Sequence, residues 1–126
     1  MLGLFLIACC LLMACKKNPN PVPAGNSKPL QIVVSNITST LTIYSFSVIE
    51  QPSSSALIDI HSQTENKTFT VNVNSGDVLT LNYFLELEGP VPAVEPVVSF
   101  ICDGVTMASV TNNAGIISGA KVVTIP

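Results

Sequence analysis

Between Val78 and Glu88 the chain alternates with a period of two. Leu79, Leu81, Tyr83, Leu85 and Leu87 fall on one side, Thr80, Asn82, Glu86 and Glu88 on the other, and Phe84 alone breaks the rule. Successive side chains of a strand point to opposite faces, so this pattern describes a strand with its leucine face on a core and its other face in water. From Leu30 onward the remaining apolar residues also alternate or come in short blocks, and turn residues recur about every 8 to 12 positions. No window carries a sustained i, i+3, i+4, i+7 stripe, which points to an all-β domain. The expected strands are Leu30 to Ser35, Leu41 to Ile49, Ala56 to His61, Thr68 to Val73, Val78 to Leu87, Pro96 to Cys102, Val105 to Val110 and Lys121 to Ile125.

Turn chemistry supports the same division. Asp103-Gly104 between Cys102 and Val105 predicts a two-residue type I′ hairpin. Asn74-Ser75-Gly76-Asp77 and Asn112-Asn113-Ala114-Gly115 separate further runs, and the prolines of Gly89-Pro90-Val91-Pro92-Ala93 exclude a central strand there. Seven or eight short strands suggest a two-sheet β-sandwich of immunoglobulin-like or jelly-roll type. The segment Leu41 to Ile49 is apolar on both faces, with Leu41, Ile43 and Ile49 opposite Tyr44, Phe46 and Val48, as suits a central strand or a strand that also meets a partner, the central strand being the preferred reading. The Cys-Trp-Cys pattern of immunoglobulin domains is missing: the chain has no Trp, and Cys102 is the one cysteine beyond Cys15. Stability therefore rests on burial, in a domain of a size that removes roughly 60% of its unfolded surface from water.

The front of the chain has another character. Leu2 to Met13 is an unbroken apolar run that would rise about 18 Å as a helix, short of a hydrocarbon core of about 30 Å. It has the length of a signal peptide and is followed by Ala14 and Cys15. The four residues Leu12-Met13-Ala14-Cys15 resemble the bacterial lipobox, although Met13 is bulkier than the usual residue and no Lys or Arg precedes the apolar run. That resemblance implies cleavage between Ala14 and Cys15, diacylglycerol on the Cys15 thiol and acylation of the new amine. The competing reading is a plain secretory signal with Cys15 unmodified.

Residues 16 to 27, Lys-Lys-Asn-Pro-Asn-Pro-Val-Pro-Ala-Gly-Asn-Ser, hold little that builds a core and read as a tether. Its prolines favour an extended chain that would stand a domain roughly 35 Å off a bilayer. The Cys-Lys-Lys start and Asn/Pro-rich tether are similar to small envelope lipoproteins of Bacteroidota-type bacteria, a similarity confined to residues 1 to 28. The expected organisation is a signal peptide over residues 1–14, a lipidated Cys15 and tether over 15–28, and a β-sandwich over 29–126. The resemblance places the protein in the cell envelope on an outer membrane, with the periplasmic and surface faces both open.

Composition excludes one large class of partner. The chain has 5 Lys, no Arg and 8 acidic residues, a net charge of −3, and a pI near 4.8, so it lacks the positive stripe that nucleic acid requires. Its mean hydropathy of +0.55 reflects the signal segment together with a lightly charged domain.

Candidates for chemistry are few. His61 is the sole histidine, in Ile58-Asp59-Ile60-His61-Ser62, and has no second ligand at metal spacing, so it reads as a strand-end surface residue. Cys102 beside Asp103 has no cationic neighbour in sequence to activate it and reads as a packed thiol. Glu86, Glu88, Glu95 and Asp103 lack calcium-loop spacing and read as solubilising charge. The triplets Asn36-Ile37-Thr38 and Asn66-Lys67-Thr68 match a glycosylation pattern but read as turn and strand residues. Tyr44 and Tyr83, beside Phe46, Phe69, Phe84 and Phe100, are a thin aromatic supply for stacking carbohydrate.

These features point to a protein without catalytic residues, metal or cofactor. The expected function is a membrane-anchored binding or assembly module that meets the lipid bilayer through Cys15 and takes a protein or glycan partner. The alternatives are an accessory subunit of a larger envelope complex and, if Cys15 is not lipidated, an ordinary secreted β domain.

Overall fold

A computed structural model describes residues 26–38 and 42–126. Eight strands run in chain order: β1 (Ser27–Ser35), β2 (Thr42–Gln51), β3 (Ser55–Gln63), β4 (Lys67–Asn74), β5 (Val78–Leu87), β6 (Val97–Cys102), β7 (Val105–Thr111) and β8 (Ile116–Thr124). They form two antiparallel four-stranded sheets, ordered β4-β1-β6-β7 and β3-β2-β5-β8, packed face to face as a sandwich. The all-β sandwich expected from the alternation is the architecture observed.

The inner faces supply the core. Leu30, Ile32, Tyr44, Val48, Leu79, Leu81, Leu85 and Phe100 are fully buried between the sheets. Phe46 is the hub of its aromatic part, stacked with Tyr44 at 6.1 Å between centroids and edge-on to Phe69 at 5.2 Å and Phe100 at 6.4 Å. Such pairs add roughly 0.5–1.5 kcal/mol each beyond the area they bury. On β5 the alternation holds at Leu79, Leu81, Leu85 and Leu87, whereas Tyr83 is half-buried. Tyr83 pairs with Gly119 on β8, and its ring lies where a Gly119 side chain would stand: a Cβ there would meet the phenol oxygen at 2.5 Å. β2 is central, between β3 and β5, as its two apolar faces suggest, although Leu41 itself lies outside the described residues.

Only two connections are hairpins within one sheet. The β6–β7 turn has Asp103 at φ 49° and Gly104 at φ 75°, the two positive φ values of a type I′ turn. The 74–77 turn instead carries the chain from one sheet to the other, with the Asp77 carboxylate accepting the Asn74 N–H at 2.6 Å and Gly76 at φ 89°. β1 begins at Ser27 and takes in Ser27 and Lys28, the last residues of the stretch read as tether.

β8 departs most from the sequence expectation, beginning at Ile116 and not at Lys121. Its early residues Ser118, Gly119 and Ala120 show no alternation because β8 is an edge strand, held by its backbone ladder to β5 and exposed along most of its length.

The sandwich has two distinct ends. At one, Ser75 N–H donates to Asn26 O, Gly76 N–H donates to Ile125 O, and the Lys28 ammonium reaches Asp103 at 2.9 Å and the Pro126 oxygen at 2.7 Å. The opposite end collects the connections that follow β1, β3, β5 and β7. There Ile37 N–H donates to Asn66 Oδ1 at 2.8 Å, Asn36 Nδ2 to Glu95 O at 3.0 Å, and Asn112 N–H to Pro96 O at 2.9 Å. Asn112 is fully buried and also bonds Gly115 and Ala114 in an Asx-type turn.

Candidate functional site

The recess of interest lies on the outer face of the β3-β2-β5 part of its sheet. β2 and β5 pair in regular register there, setting Ser45 opposite Phe84 and Ser47 opposite Asn82, all four on the side away from the core. Asp59 pairs with Ser47 from the other flank. Next along β3 the register shifts: Tyr44 pairs with Gln63 and Phe46 with Ile60, so His61 and Ser62 together oppose Ser45. This is a β-bulge, and Ser62 takes φ 54°, a conformation that glycine adopts at lower cost. The Ser45 hydroxyl steadies it by accepting the Ser62 N–H at 3.0 Å.

The product is a shallow depression of about 180 Å³ lined by Ser45, Ser47, Asp59, His61, Asn82 and Phe84, with Phe46, Ile60 and Tyr83 completing the floor. Asn82 Nδ2 donates to Ser47 Oγ at 3.0 Å, and His61 Nε2 lies 3.1 Å from Asp59 Oδ2. Phe84, the residue that breaks the alternation, is half-buried among these polar groups. An aromatic ring bordered by two hydroxyls, an amide, a carboxylate and an imidazole offers one apolar surface and both donors and acceptors at its edge.

The pairing of β3 with β2 thus sets Asp59 and His61 beside Ser45 and Ser47. They do not form a nucleophile–base–acid relay: the imidazole nitrogen facing Asp59 is Nε2, and the Ser45 and Ser47 hydroxyls accept from Ser62 N–H and Asn82 Nδ2. A triad needs the serine bonded to the imidazole.

Other sequence candidates are dispersed. Ala14 and Cys15 lie outside the described residues. Cys102 is a free, fully buried thiol; burial first, then the Asp103 carboxylate, push its pKa up against the pull of Lys28. Burial also raises the Tyr44 phenol, with Glu65 adding to the effect, and its hydroxyl donates to Glu65 O at 3.0 Å. Asp77 and Asp103 sit at the end that receives Asn26, while Glu65, Glu88 and Glu95 sit at the opposite end. Among the described residues no group of three or more His, Cys, Asp or Glu could hold a metal ion. None of their segments is a helix long and apolar enough to cross a membrane.

Asn36 and Asn66, the two triplet asparagines, are loop pins. Asn36 adopts φ 62° and donates to Glu95 O, and Asn66 caps Ile37 N–H across the same end. Sequence reasoning did not single out Ser45, Ser47 and Asn82 as site residues. The one available signal was Phe84, an aromatic on the polar side of an otherwise regular strand.

No protein-family model, curated protein or solved structure matches the chain.

Proposed function

We propose that this protein is an envelope lipoprotein of the bacterial outer membrane, anchored through acylated Cys15, whose β-sandwich serves as a non-catalytic binding module. One observation carries the display role. The chain enters the sandwich at Asn26, beside the 74–77 turn, Asp103 and Pro126, and the connections after β1, β3, β5 and β7 lie at the far end. A tether running from Cys15 to Asn26 would therefore turn that far end, and leave the flank with the recess, toward whatever lies beyond the bilayer. Loops gathered at one end of a rigid sandwich are a common place for recognition. Anchoring draws on the Leu12-Met13-Ala14-Cys15 motif. A single acyl chain binds reversibly, and two or three hold for good, each buried CH2 contributing roughly 0.8 kcal/mol.

Cys15→Ser tests the anchor. Cells expressing it should accumulate uncleaved precursor or release protein cut elsewhere, and the mature form should leave the detergent phase. Mature Cys15→Ser protein that partitions as the parent does would refute lipid anchoring.

One observation favours the accessory-subunit reading. The outer face of the β4-β1-β6-β7 sheet, with Thr68, Thr70, Gln31, Val33, Ser99 and Ser109, carries no charged side chain among the described residues and would lose little on packing against a protein. A stoichiometric protein recovered with the chain from detergent extract would favour the subunit, and a glycan or small ligand the module.

A further inference from the structure

We propose that the recess on the outer face of β3-β2-β5 binds one neutral sugar ring, with Phe84 as the platform and Ser47, Asp59, His61 and Asn82 as the hydrogen-bonding rim. This deepens the binding-module reading and rests on it.

Three observations converge on the recess. Phe84 stands on the polar face of β5, where the alternation of the strand calls for a residue facing water, and it forms a wall of the depression while remaining half-buried. The β3 bulge, with Ser62 at φ 54°, sets His61 on the rim opposite it; bulges are recurrent devices for re-aiming a side chain at a site. Asn82 is already held on Ser47 at 3.0 Å in a part-buried bond, so little of its side-chain freedom is lost when a ligand joins it, and the exposed His61–Asp59 pair at 3.1 Å stands open to a ligand at the rim.

Size and charge narrow the ligand. Pockets for drug-sized molecules run from about 300 Å³ upward. A depression of about 180 Å³ seats one ring of a larger molecule, the rest of which would run over the open sheet face. The described residues carry eight carboxylates against Lys28, Lys67 and Lys121, a net of −5, which disfavours phosphates, sulfates and uronic acids. A purely apolar ligand would strip water from the hydrogen-bonding positions of Asp59 and Asn82 that Ser47 and His61 do not fill. A pyranose satisfies both demands: its C–H face meets the electron-rich face of Phe84, and its equatorial hydroxyls donate to Asp59 and to the second imidazole nitrogen of His61 and accept from the Asn82 amide.

The test uses the full chain extracted in a zwitterionic detergent that contains no sugar. Saturation-transfer NMR is run against methyl pyranosides of glucose, galactose, mannose, N-acetylglucosamine, fucose and rhamnose, and against neutral oligosaccharides built from them. We expect saturable transfer to at least one neutral sugar, weakened tenfold or more in Phe84→Ala and in Asn82→Ala, and unchanged in Thr70→Ala on the other sheet. Asn82→Ala keeps the aromatic ring and guards against Phe84→Ala simply failing to fold. The proposal is overturned by no transfer to any of these sugars, by equal transfer in both recess variants, or by a uronic acid binding more tightly than its neutral parent. Recovery of a stoichiometric protein partner without sugar binding would overturn this proposal and the module reading together in favour of the accessory subunit, whereas recovery of another small ligand without sugar binding would overturn this proposal alone. Detergent-phase partition of the same samples reports on the anchor separately.

Discussion

Cys102 and Tyr44 show how far a single buried side chain shapes this domain. Both are fully buried, and in both the folded state holds the proton more tightly than the unfolded chain does. A raised folded pKa contributes stability that is complete below the unfolded value and is lost as pH climbs through and past it. The domain should therefore weaken as pH rises through the ordinary thiol and phenol range, about 8.5 to 10, and beyond. Urea midpoints measured from pH 7 to 11 should fall across that window, and Cys102→Ala combined with Tyr44→Phe should flatten the decline. A decline as steep in the double variant would assign it to other groups. At neutral pH Cys102→Ala should itself cost about 1 to 3 kcal/mol, since it removes a sulfur from a packed interior. Equilibrium unfolding gives that figure, and a thiol found in a disulfide would contradict the free cysteine.

Strands differ in how much of their structure is written in their own residues. β5 was readable because burial on one face imposes a two-residue period, and the Asp103-Gly104 turn because few residue pairs accept two positive φ values in succession. β8 was not, since its pairing depends on the ladder to β5 and its exposed edge places little demand on side chains. The recess was hidden for a related reason. The bulge at His61-Ser62 uses a serine where glycine would have signalled the positive φ, and the neighbours of Phe84 come from three separate strands.

β8 also carries a feature of its own. Lys121 pairs with the buried Leu81, so it stands on the core-facing side of an edge strand, and its ammonium lies 3.4 Å from Ser109 O on β7, the edge of the other sheet. An inward-pointing lysine keeps an edge from adding a further strand. Lys121→Val should leave the fold intact and promote association through β8, seen as a concentration-dependent rise in mass on sedimentation. A variant that stays monomeric at millimolar concentration would show that the edge is guarded by something else.

At the scale of the whole molecule, the two ends of the sandwich divide the labour we propose. The end at Asn26 ties together the first strand, two turns and Pro126, and the far end gathers loops pinned by Asn36, Asn66 and Asn112. Pinned loops make a stable surface, and a tether of a dozen residues would give that surface reach without fixing its orientation. The proposal that the protein works at a membrane stands on residues 12 to 15 and on this polarity. Lys16 and Lys17 would add a small attraction to anionic headgroups. The most direct test is the intact mass of the protein extracted from membranes. The account predicts a polypeptide that begins at Cys15 and carries a diacylglyceryl group, with or without a further acyl chain on its amine. A mature N-terminus at any other residue, or an unmodified Cys15, would contradict it.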